Sequence, residues 1–211
     1  MAHRSYLYEH PDLELESNER LEYLGDAVLT YISGLYLFRE FPRLQEGRLT
    51  AIRAAAVRQD TLAKFAREID LGRYILVGRG EARSGGPERP GLLSNAFEAL
   101  VGAMLLDQGL DTVTSFFERF LVAEVREIVA EHRHENFKSL LQERTQGALQ
   151  TTPEYRTVDM TGPSHARTFI IEVLVNGEVV GRGEGPSKRA AQQAAAQQAL
   201  EKLGPEEVVR R

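Results

Sequence analysis

The stretch "NERLEYLGD" sets three carboxylates, Glu19, Glu22 and Asp26, within nine residues. A helix advances about 100° per residue, which places Glu22 about 300° and Asp26 about 340° around from Glu19. The three acids therefore share one stripe about 60° wide, while Leu21, Leu24 and Val28 fall opposite, at about 200°, 140° and 180°. Such a ridge is either a solvated acidic face or a set of oxygen ligands. A second helical segment, "LLSNAFEALVGA", carries Asn95 and Glu98 three residues apart, with apolar Phe97, Leu100 and Val101 around them. One purely structural reading makes Asn95 an N-cap and Glu98 the third residue of a capping box. The chemical reading has the two helices converge on a hard cation. Mg²⁺ takes carboxylate and water oxygens in octahedral geometry, and it can activate a water and stabilise a phosphoryl transition state.

The elements that must position these groups follow from hydrophobic periodicity. From Glu19 to about His132, segments such as "GRLTAIRAAAVRQDTLAKFAREI" and "VTSFFERFLVAEVREIVAEH" repeat apolar residues at three- and four-residue spacing. Strand-like alternation is missing there, so the spacing predicts an all-α domain over 1–131. After a polar linker at 132–136 the pattern changes. "NFKSLLQERTQGAL" reads as a helix, "EYRTVDM", "TFIIEVLV" and "EVVGRGEG" as strands, and "SKRAAQQAAAQQALEKL" as a final helix behind Pro186. Asn176-Gly177 marks a tight hairpin turn. The fold class is an all-α domain followed by a small α+β domain of order α-β-β-β-α over 137–205, with a tail at 206–211. "HRH" at 132–134 belongs to the linker. The glycine-rich "VGRGEARSGGPERPG" lacks the Gly-Lys-Ser/Thr of a nucleotide cradle and is expected to be a connecting loop, so no nucleotide cofactor is expected.

Composition narrows the function classes. The chain has no cysteine, so disulfides and thiolate metal sites are excluded and a cytoplasmic setting fits. No apolar run approaches the roughly 20 residues of a membrane span, and "MAHRSYLYEH" lacks a signal-peptide core. The net charge of -5 argues against indiscriminate coating of nucleic acid, but it is unevenly spread. Residues 136–204 hold eight Lys/Arg against seven Asp/Glu, whereas 1–135 hold sixteen against twenty-two.

"NERLEYLGDAVL", the preceding "HRSY", and then "EGRLT", "LGRYILVGRGEARSGG" and "LLSNAFEALVGAMLLDQG" resemble, in order, the segments of the ribonuclease III family. The resemblance covers nearly the whole chain. It implies a homodimeric, Mg²⁺-dependent endonuclease, with Mn²⁺ able to substitute, that hydrolyses double-stranded RNA to 5′-phosphate and 3′-hydroxyl ends in ribosomal and messenger RNA processing. It further implies that Glu22 and Glu98 are metal ligands and that Asp26 helps organise the attacking water. Glu19 and Glu46 would support the cleft or the dimer. Much of the family has Asp where this chain has Asn95, which would keep an oxygen ligand but lose its charge. That departure supports an alternative, a weakened or inactive RNA-binding dimer. The family also usually carries a further helix ahead of "HRSY".

The α-β-β-β-α segment resembles a double-stranded-RNA-binding domain, which reads A-form shape across two minor grooves and the phosphates between them. Ser187, Lys188 and Arg189 stand at a helix start, where free N–H groups, the helix dipole and two cations favour phosphate. Gln142 and Glu143 on the first helix could bond 2′-hydroxyls and base edges. The loop "GPSH", with Ser164 and His165, could enter the next minor groove. The family often has a basic residue where Gln192 stands. A third possibility, an acidic helical interaction module without RNA, would leave the "SKR" and "GPSH" features unexplained.

Overall fold

The computed structural model describes residues 1–132, 136–163 and 167–203. They belong to two compact units, Met1–His134 and Glu135–Arg211. Linker positions 133–135, the expected loop contacts Ser164 and His165, and the tail lie outside the described residues.

The first unit is helical: α1 (Arg4–Glu9), α2 (Glu19–Glu40), α3 (Glu46–Ala56), α4 (Gln59–Glu68), α5 (Arg79–Arg83), α6 (Pro90–Gln108) and α7 (Leu110–Ala130). Its core is built on phenylalanines. Phe97 of α6 packs against Phe65 of α4 at 5.8 Å between ring centroids, and against Phe120 of α7 at 5.8 Å. Phe65, Phe97 and Phe117 are fully buried, and each such ring contributes about 1.5–3 kcal/mol by leaving water. Pinning Phe97 inward fixes the rotation of α6, and so fixes where its neighbour Glu98 points.

Three expectations change at this level. Pro90, with its fixed φ, opens α6 well before Asn95, so Asn95 lies in the second turn and the capping-box reading fails. The glycine-rich connection is not a plain loop: it holds α5 and a short 3₁₀ turn, Gly86–Glu88. Leu21 and Leu24 are only half-buried, and the buried residues of α2 are Gly25, Val28, Leu29, Ile32, Ser33 and Leu37. That stripe is centred near 265° from Glu19, because Val28, Ile32, Gly25, Leu29, Ser33 and Leu37 fall at about 180°, 220°, 240°, 280°, 320° and 360°. Glu22, at about 300°, therefore lies on the buried side of the helix rather than turned away from it.

α4 and α7 are joined by charge as well as by rings. Lys64 Nζ donates to Glu124 Oε2 at 2.9 Å and to Glu127 Oε2 at 3.3 Å. The Glu124 side chain is only 2% exposed. Removing the ammonium leaves a buried carboxylate short of a strong donor, so Lys64→Ala is expected to cost about 1–3 kcal/mol, read as a lower unfolding midpoint in urea.

The second unit runs α8 (Phe137–Leu149), β1 (Glu154–Thr161), β2 (Thr168–Val175), β3 (Glu178–Gly185) and α9 (Lys188–Leu203). The three strands form one antiparallel sheet of order β1-β2-β3. Asn176 and Gly177 both have positive φ, 52° and 81°, the requirement of a type I′ hairpin turn. The alanine-rich face of α9 lies directly on β3. A Cβ added at Gly183 would fall 2.1 Å from the Ala195 backbone nitrogen, so glycine opposite alanine sets the helix-to-sheet distance. Leu141, Val173, Ala195, Ala196 and Ala199 form this unit's core.

Candidate active site and RNA-binding surface

α2 and α6 cross at two glycines. A Cβ on Gly25 would lie 1.8 Å from the Glu98 carbonyl oxygen, and one on Gly102 would lie 2.2 Å from that of Leu21. The two backbones are therefore in direct contact. Glu22 and Asp26 flank Gly25 along α2, and Glu98 stands one turn before Gly102 on α6. The glycine crossing thus draws the acids of both helices to one place.

The electrostatics register that convergence. Burial, then the Asp26 and Glu22 charges, push the Glu98 carboxyl up to about 7. Glu22 is also raised, by burial and by the neighbouring Glu19 charge, while a hydrogen bond from the Asn95 side chain and the Arg4 guanidinium oppose the rise. Glu22, Asn95 and Glu98 are half-buried and Asp26 is exposed. Glu19 is exposed and meets Arg4 Nη1 at 3.5 Å. The structure thus brings Glu22, Asp26, Asn95 and Glu98 together, with Glu19 at their edge.

Glu46 is elsewhere. It opens α3, accepts a hydrogen bond from Thr50 Oγ1 at 3.0 Å, and lines a groove with Phe38, Leu49 and Arg53. It is not among the charges that shift Glu22 or Glu98.

Every donor at the cluster is oxygen, which suits a hard divalent cation. Two half-buried carboxylates with raised proton affinity are groups that a cation would relieve. Among the described residues, no three His, Cys, Asp or Glu side chains are drawn together as a ready-made metal cage. The fourth group, Asn95, is neutral and would offer only its carbonyl oxygen.

In the second unit Gln142 and Glu143 are exposed on α8. Ser187 Oγ accepts from the Ala190 backbone N–H at 3.2 Å and so caps α9, and Lys188 and Arg189 are exposed in its first turn. Sequence reasoning missed Gly25, Gly102 and Arg4 at the acidic cluster. Isolated glycines inside strong helical patterns were the available sign of close backbone approach.

Residues 1–125 match the ribonuclease-III-like family and residues 137–203 the double-stranded RNA binding motif. The chain is 46% identical over 202 residues to ribonuclease 3 of Enterococcus faecalis, covering 96% of this chain and 87% of that one. It is 45% identical to ribonuclease 3 of Geobacillus kaustophilus, covering 96% and 82%. The helical unit is similar to a solved nuclease domain of ribonuclease III from Campylobacter jejuni, with TM-score 0.53 and 38% identity over 58% of this chain and 82% of that one. With both motifs present in order, the acids gathered at one crossing, and this identity over nearly the full length, the chain belongs to the ribonuclease III family of double-strand-specific endoribonucleases.

Proposed function

We propose that the protein is a divalent-metal-dependent hydrolase of phosphodiester bonds in double-stranded RNA. Mg²⁺ is the expected ion and Mn²⁺ an effective substitute, and the products carry 5′-phosphate and 3′-hydroxyl ends. The observation that carries this reading is the meeting of Glu22, Asp26, Asn95 and Glu98 where α2 and α6 cross. Glu22 and Glu98, with the Asn95 carbonyl oxygen, would hold the ion. When bound, the ion supplies Lewis-acid activation of water and neutralises charge developing on the phosphoryl oxygens. Asp26, exposed beside them, orients the attacking water and accepts its proton. Attack at phosphorus expels the 3′-oxygen, which takes up a proton and leaves as the 3′-hydroxyl. Gln142, Glu143, Ser187, Lys188 and Arg189 hold the duplex, with Ser164 and His165 assigned to the same task by sequence alone.

The working unit in this reading is a homodimer acting in the cytoplasm on ribosomal and messenger RNA precursors. An open groove of about 820 Å³ runs along the start of α2, lined by Leu21, Leu24 and Leu106 among others, and Tyr23 beside it is 80% exposed. This is apolar surface that a second copy would cover, with Glu19 at its edge, while Glu46, which lines a separate groove, is assigned to cleft or dimer support by the family resemblance alone. A region involved in dimer formation is described for the Campylobacter jejuni nuclease domain. No helix among the described residues is long and apolar enough to cross a membrane.

The test incubates the protein with a long RNA duplex, and with either strand alone, in Mg²⁺, Mn²⁺ or chelator. Short fragments from the duplex only, and only with metal, are the expected result. Retarded but intact duplex under all conditions would instead establish the weakened RNA-binding dimer, the reading that neutral Asn95 favours. Asn95 stands beside Glu22 and opposes the rise in its proton affinity. Asn95→Asp would put a charge where Asn95 offers a neutral amide, and is expected to lower the Mg²⁺ concentration for half-maximal cleavage on the order of tenfold. An unchanged metal titration would remove Asn95 from the ion's surroundings.

A further inference from the structure

Lys138 lies near the start of α8 and is held by three groups of its own unit. Its ammonium donates to Gln192 Oε1 at 2.7 Å and sits 4.7 Å from the centre of the Tyr155 ring. Its backbone N–H donates to Gln193 Oε1 at 3.4 Å. All of these partners are neutral. No carboxylate among the described residues pairs with Lys138, in contrast to Arg156, which is bound to Glu172 at 3.0 Å. The residue is half-buried and held by these contacts, and no carboxylate among the described residues compensates its charge. A fixed, unneutralised ammonium is an arrangement suited to an anion that arrives from outside.

Its location says which anion. Lys138 is four residues before Gln142 on α8, so both lie on one face, one turn apart. Its anchor Gln192 is four residues after Lys188 on α9, again on one face and one turn apart. The ammonium therefore stands at the junction of two rows. One leads along α8 to a residue assigned to the minor groove, and the other along α9 to a residue assigned to phosphate. Neighbours one turn apart are about 5–6 Å from each other, comparable to the step between successive phosphates of one strand.

We infer that Lys138 is a phosphate-binding residue of the double-stranded-RNA surface, linking the α8 and α9 contacts through its bond to Gln192. The inference rests on the RNA-binding reading proposed above. It assigns Tyr155 and Gln192 as positioning residues that hold the lysine ready, and so reduce the side-chain entropy lost when it meets RNA.

The test measures binding of the full chain to a fluorescent RNA duplex in chelator, so that nothing is cut, from 50 to 300 mM KCl. The variants are Lys138→Met, which keeps an apolar stem over Tyr155, and Lys138→Arg, which keeps the charge. Lys138→Met is expected to weaken binding about fivefold near 0.1 M salt and to lower the log–log salt slope by about one, with Lys138→Arg close to the parent. Amine acylation of the unmodified protein, read by mass spectrometry, is the second measurement and serves should Lys138→Met fold poorly: duplex is expected to protect Lys138 from the reagent. Parental affinity and slope in Lys138→Met, or unprotected Lys138 in an RNA-bound protein, would overturn the inference and leave the lysine a packing group on Tyr155. If the unmodified chain binds no duplex at all, it is the RNA-binding reading itself that falls.

Discussion

Replacing Glu98 by glutamine is expected to lower cleavage on the order of 10³-fold while making the metal-free protein more stable. Both effects come from one cause. Burial and the Asp26 and Glu22 charges push the Glu98 carboxyl up to about 7 from its ordinary 4.5. The folded state then binds this proton more tightly than the unfolded chain does. Stability accordingly falls as pH rises from about 4.5 to about 7, and the penalty is complete above that range. The whole shift corresponds to about 3 kcal/mol, and water reaching a half-exposed carboxyl screens this to about 1–2 kcal/mol. At pH 8 in chelator, calorimetry should place the Glu98→Gln midpoint about 3–8 °C above the parent. At pH 4 the two should coincide. Added Mg²⁺ should close the gap by raising the parent alone, since a ligand that binds only the folded state stabilises it. A variant no more stable than the parent at pH 8 would show that Glu98 carries no electrostatic strain.

Gly25→Ala is the second large effect, and here both stability and activity fall. The new methyl carbon would lie 1.8 Å from the Glu98 carbonyl oxygen, and the obstacle is backbone, which no rotamer change relieves. α2 and α6 must separate. Overpacking at this severity costs about 3–5 kcal/mol, read as a fall of more than about 10 °C in the midpoint. The protein that remains folded at low temperature should cleave about 10²-fold more slowly, since a shift of about 1 Å displaces Glu98 from Glu22 and Asp26. Gly47→Ala is the control. It lies in α3 with nothing within 4 Å of the place its methyl would take, so improved helix propensity should leave it as stable as the parent or slightly more so. If Gly25→Ala behaved like Gly47→Ala, the close crossing would not be what assembles the acids.

The division of labour along the chain was legible because each half obeys its own period. Helical spacing runs to about His132, and strand pairing is announced by Asn176-Gly177, whose positive φ angles the hairpin requires. The acids Glu22, Asp26, Asn95 and Glu98 were legible as two clusters. What single-helix geometry could not supply was the side from which α6 approaches α2. A helical wheel weighted by Leu21 and Leu24 turned the buried face too far, because Gly25 contributes no hydrophobic signal although it makes the closest contact. The same blindness to neighbours made Asn95 look like a cap, when Pro90 starts the helix earlier. Lys138 is invisible to sequence for a related reason. Its partners Tyr155 and Gln192 lie 17 and 54 residues away, and only the packed unit brings them to its ammonium.

The most direct measurement follows single-turnover cleavage of one end-labelled RNA duplex by the parent and by Glu98→Gln across a Mg²⁺ titration, with binding recorded in parallel. The expected outcome is Mg²⁺-dependent short fragments bearing 5′-phosphates from the parent, and equal binding with intact RNA from Glu98→Gln. Cleavage by the parent in chelator, or cutting by Glu98→Gln at the parent's rate, would contradict a metal-dependent site built on these carboxylates.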